Sequence, residues 1–286
     1  MAQRAERTDL PMNAPGLLRQ FGIHADKRLG QNFLVDENAL KKIIEIAAIS
    51  TDEAVLEVGP GLGGLTCLLA ARARRVVAVE LDGRLMPVLK HVLASFSNVQ
   101  LIQGDILAQN PAELFDQSEF LVVANIPYYI TSVLIRHLLE SSRKPSRLVL
   151  TVQREVAERI CAQPGQLSLL ALSVQVYGQP ELRGRIPAGA FYPAPQVDSA
   201  VVRVDLHAQT LIPGPQLEFF FRLTKAGFSQ KRKTLGNALA ASLAWPKQKV
   251  AAMLLAAQID PLRRAETLSL GEWKSLTQVY ADLLAS

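Results

Sequence analysis

Four consecutive residues, Asn125-Ile126-Pro127-Tyr128, combine an amide, a conformationally fixed carbonyl and an aromatic face. An exocyclic amine on adenine is a poor nucleophile, because its lone pair is delocalised into the ring. The side-chain carbonyl of Asn125 and a backbone carbonyl near Pro127 can accept its two hydrogens. That favours the pyramidal geometry as positive charge develops, a form of preorganised electrostatics. Proline restricts the backbone so that a carbonyl stays aimed, and Tyr128 offers a face on which a base can stack. No strong general base is needed, since the proton leaves an already cationic product. The bland alternative is a strand-end turn, where Asn and Pro are common.

A second cluster lies upstream. Gly59-Pro60-Gly61-Leu62-Gly63-Gly64 follows an apolar run and opens a helical pattern, with a GxGxxG match at Gly59, Gly61 and Gly64. Such a turn suits a nucleotide-type ligand at the carboxyl edge of a sheet; equally, many glycine turns only pack a helix on a sheet. Glu80 ends the next apolar run, where a carboxylate can accept both hydroxyl protons of a ribose. Asp105 ends the third, placed to accept from an adenine amine or to cap the turn that follows. Glycines and acids alone do not separate NAD from S-adenosylmethionine. Pro60 inside the turn and Glu57 just before it favour the methyl donor, because a pyrophosphate-binding turn needs backbone N–H groups and proline has none. Phe191, in a loop with Pro193 and Pro195, is a stiff aromatic suited to stacking or to a hydrophobic lid.

These residues need elements to hold them. Asp36 is a candidate N-cap for a helix carrying Leu40, Ile43, Ile44 and Ala47 on one face. Short Val/Ile/Leu runs at 54–58, 76–81, 99–102, 120–124 and 148–152 alternate with helical patterns near 64–72, 84–95, 131–140 and 154–161. Strands apolar on both faces and alternating with helices predict a parallel sheet covered on both sides, a doubly wound α/β domain. Two further strands, near 173–178 and 198–206, would complete a seven-stranded Rossmann-like sheet. Residues 1–20 read as a flexible N-terminal arm and 21–207 as the sheet domain. From 208 to 286, after the linker-like AQTLIPGP, only helical patterns follow, which predicts a small C-terminal all-helical domain.

The chain of 286 residues carries 31 Lys+Arg against 26 Asp+Glu, a net +5. Residues 1–207 hold 21 basic and 21 acidic side chains, whereas 208–286 hold 10 and 5, so the whole surplus lies in the C-terminal quarter. A basic end on a neutral body points to a polyanion partner. Lys225, Lys231, Arg232 and Lys233 concentrate it, and no acid lies between positions 225 and 233. The two cysteines, Cys67 and Cys161, sit in apolar stretches and make neither a disulfide framework nor a zinc site. The four histidines are scattered, so no metal is expected. With no apolar N-terminal core and no long apolar run, the expectation is a cytoplasmic protein without a membrane span.

Gln31-Asn32-Phe33-Leu34, the GPGLGGLT turn, Glu80-Leu81-Asp82, Gly104-Asp105 and Asn125–Tyr128 occur in this order and at this spacing. Together they resemble the S-adenosylmethionine-dependent ribosomal RNA adenine dimethyltransferases. Phe191-Tyr192-Pro193-Ala194-Pro195-Gln196-Val197-Asp198-Ser199 is similar to the family's FxPxPxVDS loop. Phe228–Leu235, FSQKRKTL, is similar to its FxQRRKTL segment, with Lys231 in place of a usual arginine. The likeness spans about residues 24–240. It implies that Asn32 and Leu34 close over the donor, that Gly59 and Gly61 meet it by backbone, that Glu80 holds its ribose and that Asp105 holds its adenine. It implies that Asn125, also at the donor's edge, takes the target amine with Pro127, and that Tyr128 and Phe191 sandwich the target base. The substrate implied is two adjacent adenosines in a small-subunit rRNA hairpin, met in an immature particle, with a monomer expected. The rivals are a large-subunit rRNA resistance methylase, an NAD-dependent oxidoreductase, and a non-catalytic assembly or transcription factor that keeps the fold. The FSQKRKTL and FYPAPQVDS segments speak against the first, the lack of a His/Tyr–Lys set against the second, and the intact NIPY and Glu80 against the third.

Overall fold

The structure is a computed structural model and describes residues 13–115 and 119–285. Its strands are β1 (Phe33–Leu34), β2 (Ala54–Val58), β3 (Arg75–Glu80), β4 (Val99–Gln103), β5 (Phe120–Asn125), β6 (Arg147–Gln153), β7 (Gly178–Ile186), β8 (Phe191–Tyr192) and β9 (Ser199–Leu206). Seven of them form one sheet in the order β4-β3-β2-β5-β6-β9-β7. The chain enters at β2, runs outward through β3 and β4, then returns to the other side of β2 with β5 and β6. Neighbours from β4 to β6 are parallel. The strand order therefore reverses between β2 and β5, and the crevice at their carboxyl ends is where such sheets bind ligands. β2 and β5 are buried on both faces, the pattern of a central parallel strand.

Two expectations about the sheet are corrected. It is mixed rather than wholly parallel, because β9 runs antiparallel to β6. The strand expected at 173–178 is half helix and then turn, with only Gly178 in a strand: Leu169–Gln175 winds with Ala171, Leu172 and Val174 buried, and Ser168 caps its N-terminus by accepting from Ala171 N–H. The seventh strand is β7, whose alternating buried Gly184 and Ile186 and exposed Arg183 and Arg185 suit a sheet edge.

The helices are α1 (Ala14–Gln20), α2 (Glu37–Ala47), α3 (Gly64–Ala70), α4 (Met86–Val92), α5 (Thr131–Glu140), α6 (Arg154–Ile160), α7 (Leu169–Gln175), α8 (Leu217–Phe228), α9 (Leu235–Leu243), α10 (Lys247–Ala256) and α11 (Leu270–Ala285). Asp36 caps α2 through Ala39 N–H at 2.7 Å, and the predicted face of Leu40, Ile43, Ile44 and Ala47 is buried with Val55, Leu121 and Val149 of the sheet. The loose arm is also corrected. Residues 1–12 lie outside the described residues, but 14–20 form α1, capped by Asn13, with Pro15 in its first turn. Ala14 and Leu18 are buried with Phe33, Cys67 and Leu89.

Chain contacts divide the molecule into two units, one of residues up to 157 plus 181–206 and one of 158–180 plus 207 onward. The predicted boundary at 208 thus misses an inserted piece, 158–180, which belongs with the C-terminal helices. Among the described residues after Leu206 there is no strand. The helical unit packs around Phe220, Leu223, Leu239, Trp273 and Tyr280, all fully buried. No helix of the described residues is long and apolar enough to cross a membrane.

Candidate active site

One cavity in the sheet unit gathers Asn32, Leu34, Gly59, Gly61, Glu80, Asp105, Asn125, Pro127, Tyr128 and Phe191, every predicted donor- and base-handling position. They come from the carboxyl ends of β2, β3, β4 and β5 and from the small β1–β8 pair.

The glycine turn is shaped by three left-handed residues, Gly59, Gly61 and Gly63, with φ of 69°, 59° and 86°. Gly64, the third glycine of the match, opens α3 as expected, and Gly63 takes the left-handed cap position just before it. Gly61 is also sterically required: a Cβ there would lie 2.9 Å from the Phe33 ring. Glu80 organises the same turn. Its carboxylate accepts from Gly61 N–H at 3.1 Å and from Asp82 N–H at 2.8 Å. It is buried, and burial raises its pKa above the ordinary value, opposed by those two hydrogen bonds. Two oxygens with several lone pairs leave acceptor capacity facing the cavity, as a vicinal diol requires.

Asp105 caps a short turn by accepting from Leu107 N–H at 2.9 Å. The capping and ligand roles are compatible, since one oxygen caps and the other stays exposed at the cavity rim. Leu81, 49% exposed, and Ile106 flank the two acids and give the cavity apolar walls.

Glu57 lies deeper. It is fully buried, its Oε2 has no hydrogen-bond partner among the described residues, and it lines the cavity. Burial pushes its pKa up to about 8, opposed by the Thr66 hydroxyl and helped by the nearby Glu80 charge. A positive charge bound in the cavity would favour the ionised form that burial disfavours, so an acid there fits a cationic ligand. A sulfonium donor with an amino group meets that description.

At the end of β5, the Asn125 side-chain amide donates to the Asn32 carbonyl at 3.2 Å. That bond fixes the side chain and leaves Oδ1, which accepts no hydrogen bond among the described residues, as the free acceptor. Asn32 itself donates from Nδ2 to the Gly30 carbonyl at 3.1 Å. The Pro127 carbonyl accepts Ile130 N–H and closes a tight turn over Tyr128–Ile130. The free backbone carbonyl beside Asn125 is therefore that of Ile126, one residue earlier than the proline. Tyr128 is half-buried, and its hydroxyl pairs with Ser199 Oγ at 2.8 Å, which holds the ring plane.

Phe191 lines the cavity too, but it is only 4% exposed and packs in the core cluster around α2. Its backbone partner is Leu34 across the β1–β8 ladder, with Phe33 opposite Tyr192. The ladder explains why the Gln31–Leu34 and Phe191–Ser199 segments go together.

Sequence reasoning missed what ties the N-terminal segment to the sheet edge. Gln31 Nε2 donates to Asp82 Oδ2 at 2.8 Å, while Gln31 Oε1 accepts Asp26 N–H. Arg84 grips Asp82 at 2.6 Å, and that bond lowers the Asp82 pKa. Gln31 and Asp82 both stood in quoted motifs, and a pair of polar residues bounding a cofactor turn was the available signal.

The four predicted RNA-binding cations belong to the helical unit. Lys225 is in the last turn of α8, and Lys231, Arg232 and Lys233 occupy the turn before α9. All four are exposed, and none forms an ion pair among the described residues.

Comparison with known proteins agrees with this geometry. The family described as ribosomal RNA adenine dimethylase matches residues 22–282. A relative from Dehalococcoides mccartyi named ribosomal RNA small subunit methyltransferase A is 46% identical over 96% of this chain and 94% of its own length. One of the same name from Geobacillus kaustophilus is 40% identical over 96% and 97%. Among solved structures, the 23S rRNA methyltransferase ErmE superposes with a TM-score of 0.71 at 29% identity, covering 87% of this chain and 99% of its own. A dimethyladenosine transferase from Plasmodium falciparum shares the fold, with a TM-score of 0.76 at 24% identity over 87% and 98%. With the family matched across almost the whole chain and close relatives end to end, the chain belongs to the ribosomal RNA adenine dimethylases.

Proposed function

We propose that this chain transfers methyl groups from S-adenosylmethionine to N6 of two adjacent adenosines in a hairpin near the 3′ end of small-subunit rRNA, giving N6,N6-dimethyladenosine. The observation that carries the reading is Asn125: its amide is pinned to Asn32, its Oδ1 accepts no hydrogen bond among the described residues, and it lines one cavity with Glu80. When bound, the donor supplies an electrophilic methyl group on a positively charged sulfur. Glu80 would hold the ribose hydroxyls, Asp105 with Leu81 and Ile106 the adenine, and Glu57 the cationic end, while Gly59 and Gly61 let the backbone approach.

Asn125 Oδ1 and the Ile126 carbonyl accept the two hydrogens of the target amine. They orient its lone pair toward the methyl group and stabilise the cation as the N–C bond forms and the S–C bond breaks. The surplus proton then leaves to water. Tyr128 stacks on the target base, with Phe191 as the apolar wall behind. The base must be unpaired or flipped to reach them, at a cost of a few kcal/mol. Lys225, Lys231, Arg232 and Lys233 would hold rRNA phosphates, which makes residues 208–286 with 158–180 an RNA- or ribosome-binding unit. The partner is an immature small-subunit particle, met by a monomer in the cytoplasm.

The test is transfer from labelled donor to immature small subunits and, separately, to large subunits, with native protein and Asn125→Ala. Incorporation into small-subunit RNA by native protein, lost in the variant, is expected. No incorporation would overturn the enzymatic reading, and incorporation confined to large-subunit RNA would overturn the substrate.

A further inference from the structure

Tyr129 is the residue at the mouth of the cavity that the chemistry above does not use. It lines the same cavity as Asn125 and Tyr128, yet it is 57% exposed. Its neighbour Tyr128 is anchored through its hydroxyl to Ser199, but Tyr129 makes no hydrogen bond among the described residues. One edge of its ring rests against Gly30, so closely that a Cβ at that glycine would lie 3.2 Å from Cδ1. The ring is therefore supported on one edge by Gly30, and much of the residue is open to solvent. A large aromatic held this way has apolar area left open to solvent.

The surroundings indicate what covers it. Four residues on, Val133 at the start of α5 is 56% exposed and extends the apolar surface outward. On the other side, the turn that ends in Gly30 carries exposed Lys27 and Arg28. Arg28 is paired with Asp26, whereas Lys27 has no ion-pair partner among the described residues. An aromatic face with a free cation one short turn away is the pairing that binds single-stranded nucleic acid: a base on the ring, a phosphate on the ammonium. Extracting a target base also strips its neighbour of a stacking partner, and an aromatic side chain at the rim can replace that partner.

We infer that Tyr129 is a positioning residue that stacks on the nucleobase flanking the target adenosine, with Lys27 on the adjoining phosphate. This rests on the proposed RNA substrate and adds to it a second base-binding position outside the reactive pocket.

The test compares Tyr129→Ala, Tyr129→Leu and Tyr129→Phe in methyl transfer to immature small subunits, with donor affinity measured separately by calorimetry. Loss of one base stack should raise KM for the particle by about tenfold in the Ala and Leu variants. Donor affinity should stay at the native value, and Phe, which keeps the planar face, should behave as native. Leu keeps apolar bulk without a ring, so a Leu variant that works as well as native would overturn stacking. Unchanged KM in the Ala variant would do the same, as would a Phe variant as impaired as Ala, since the hydroxyl would then be the active part. A loss of donor affinity with unchanged KM for the particle would move Tyr129 into the donor pocket. No transfer by native protein would overturn the proposed function and this inference with it, whereas native activity with an insensitive Tyr129 would overturn the inference alone.

Discussion

At the scale of single residues, the site depends on side chains whose spare capacity is directed by one fixed contact. Asn125 spends its N–H on Asn32 and keeps its oxygen. On the proposed mechanism Asn125→Ala removes an acceptor needed most in the transition state, so kcat should fall by roughly a hundred- to a thousandfold, measured under saturating donor and particle. A fall in KM-dependent rate alone, with kcat intact, would assign Asn125 to binding. Glu80 does two jobs, because the oxygens facing the cavity also hold Gly61 and Asp82 N–H. Glu80→Ala should weaken donor binding about tenfold or more, by calorimetry, and Glu80→Gln, which keeps one acceptor, should lose less. Glu57 adds a pH dependence of folding. Its carboxyl has an ordinary pKa of 4.5, and burial in the folded protein pushes it up to about 8. Between those values the unfolded chain releases the proton and the folded chain keeps it. The stabilisation from burying the neutral acid is therefore complete below about 4.5 and is lost as pH rises toward about 8. Melting curves of native protein and Glu57→Gln should diverge across that window, the native protein losing ground as pH rises; parallel curves would show that Glu57 is not buried as a neutral acid.

At the scale of elements, legibility followed local redundancy. β2, β3 and β5 are continuous apolar runs buried on both faces, and their ends carry Glu80 and Asn125, so element and site could be read together. β7 could not, because an edge strand needs to bury only one side and fills the other with polar and charged residues: Gln179, Arg183 and Arg185 are exposed and read as loop. The neighbouring 173–178 stretch, with Val174 and Val176 alternating with polar residues, reads as a strand instead, although its first half closes the helix Leu169–Gln175. The membership of 158–180 in the helical unit was hidden for a different reason: a short amphipathic stretch carries no mark of which neighbour it packs against. In the glycine turn the pattern was visible and Gly64 opens the helix as expected, but the left-handed φ of Gly63, which carries no mark in the spacing, was not. Gly61 gives the turn its sharpest test. Gly61→Ala forces a left-handed alanine and drives its Cβ toward Phe33. The strain should destabilise the protein by ~1–2 kcal/mol, read as a lower denaturation midpoint, and donor affinity should fall with it. Gly104→Ala, in a turn without left-handed φ and with only the end of Gln109 nearby, should cost much less. Equal effects at the two positions would mean that the turn is not held as described.

At the scale of the whole molecule, charge is divided between the two units in a way that follows from what each must hold. The sheet unit meets hydroxyls, amines and a cationic sulfur, for which Glu57, Glu80 and Asp105 are suitable and lysines are not. A polyanion has to be gripped elsewhere, and the C-terminal quarter, with 10 basic and 5 acidic residues, carries the whole net charge. Its densest part, Lys231-Arg232-Lys233, is exposed on a turn and free of ion pairs among the described residues. Cations without protein partners have no structural debt to settle on neutralisation, so replacing them should leave folding intact. Contacts of this kind act by releasing counterions, which makes binding fall steeply with salt, by roughly 0.7–0.9 in log–log slope per phosphate neutralised. A variant with all three replaced by Gln should bind immature small subunits more weakly at low salt, and its slope against log salt should be shallower by about two. Donor affinity and melting temperature should match those of the native protein, because these side chains make no hydrogen bond or ion pair among the described residues. An unchanged slope would place the rRNA grip on other cations. An unchanged slope with weakened transfer would mean instead that the turn acts on the particle by shape rather than by charge.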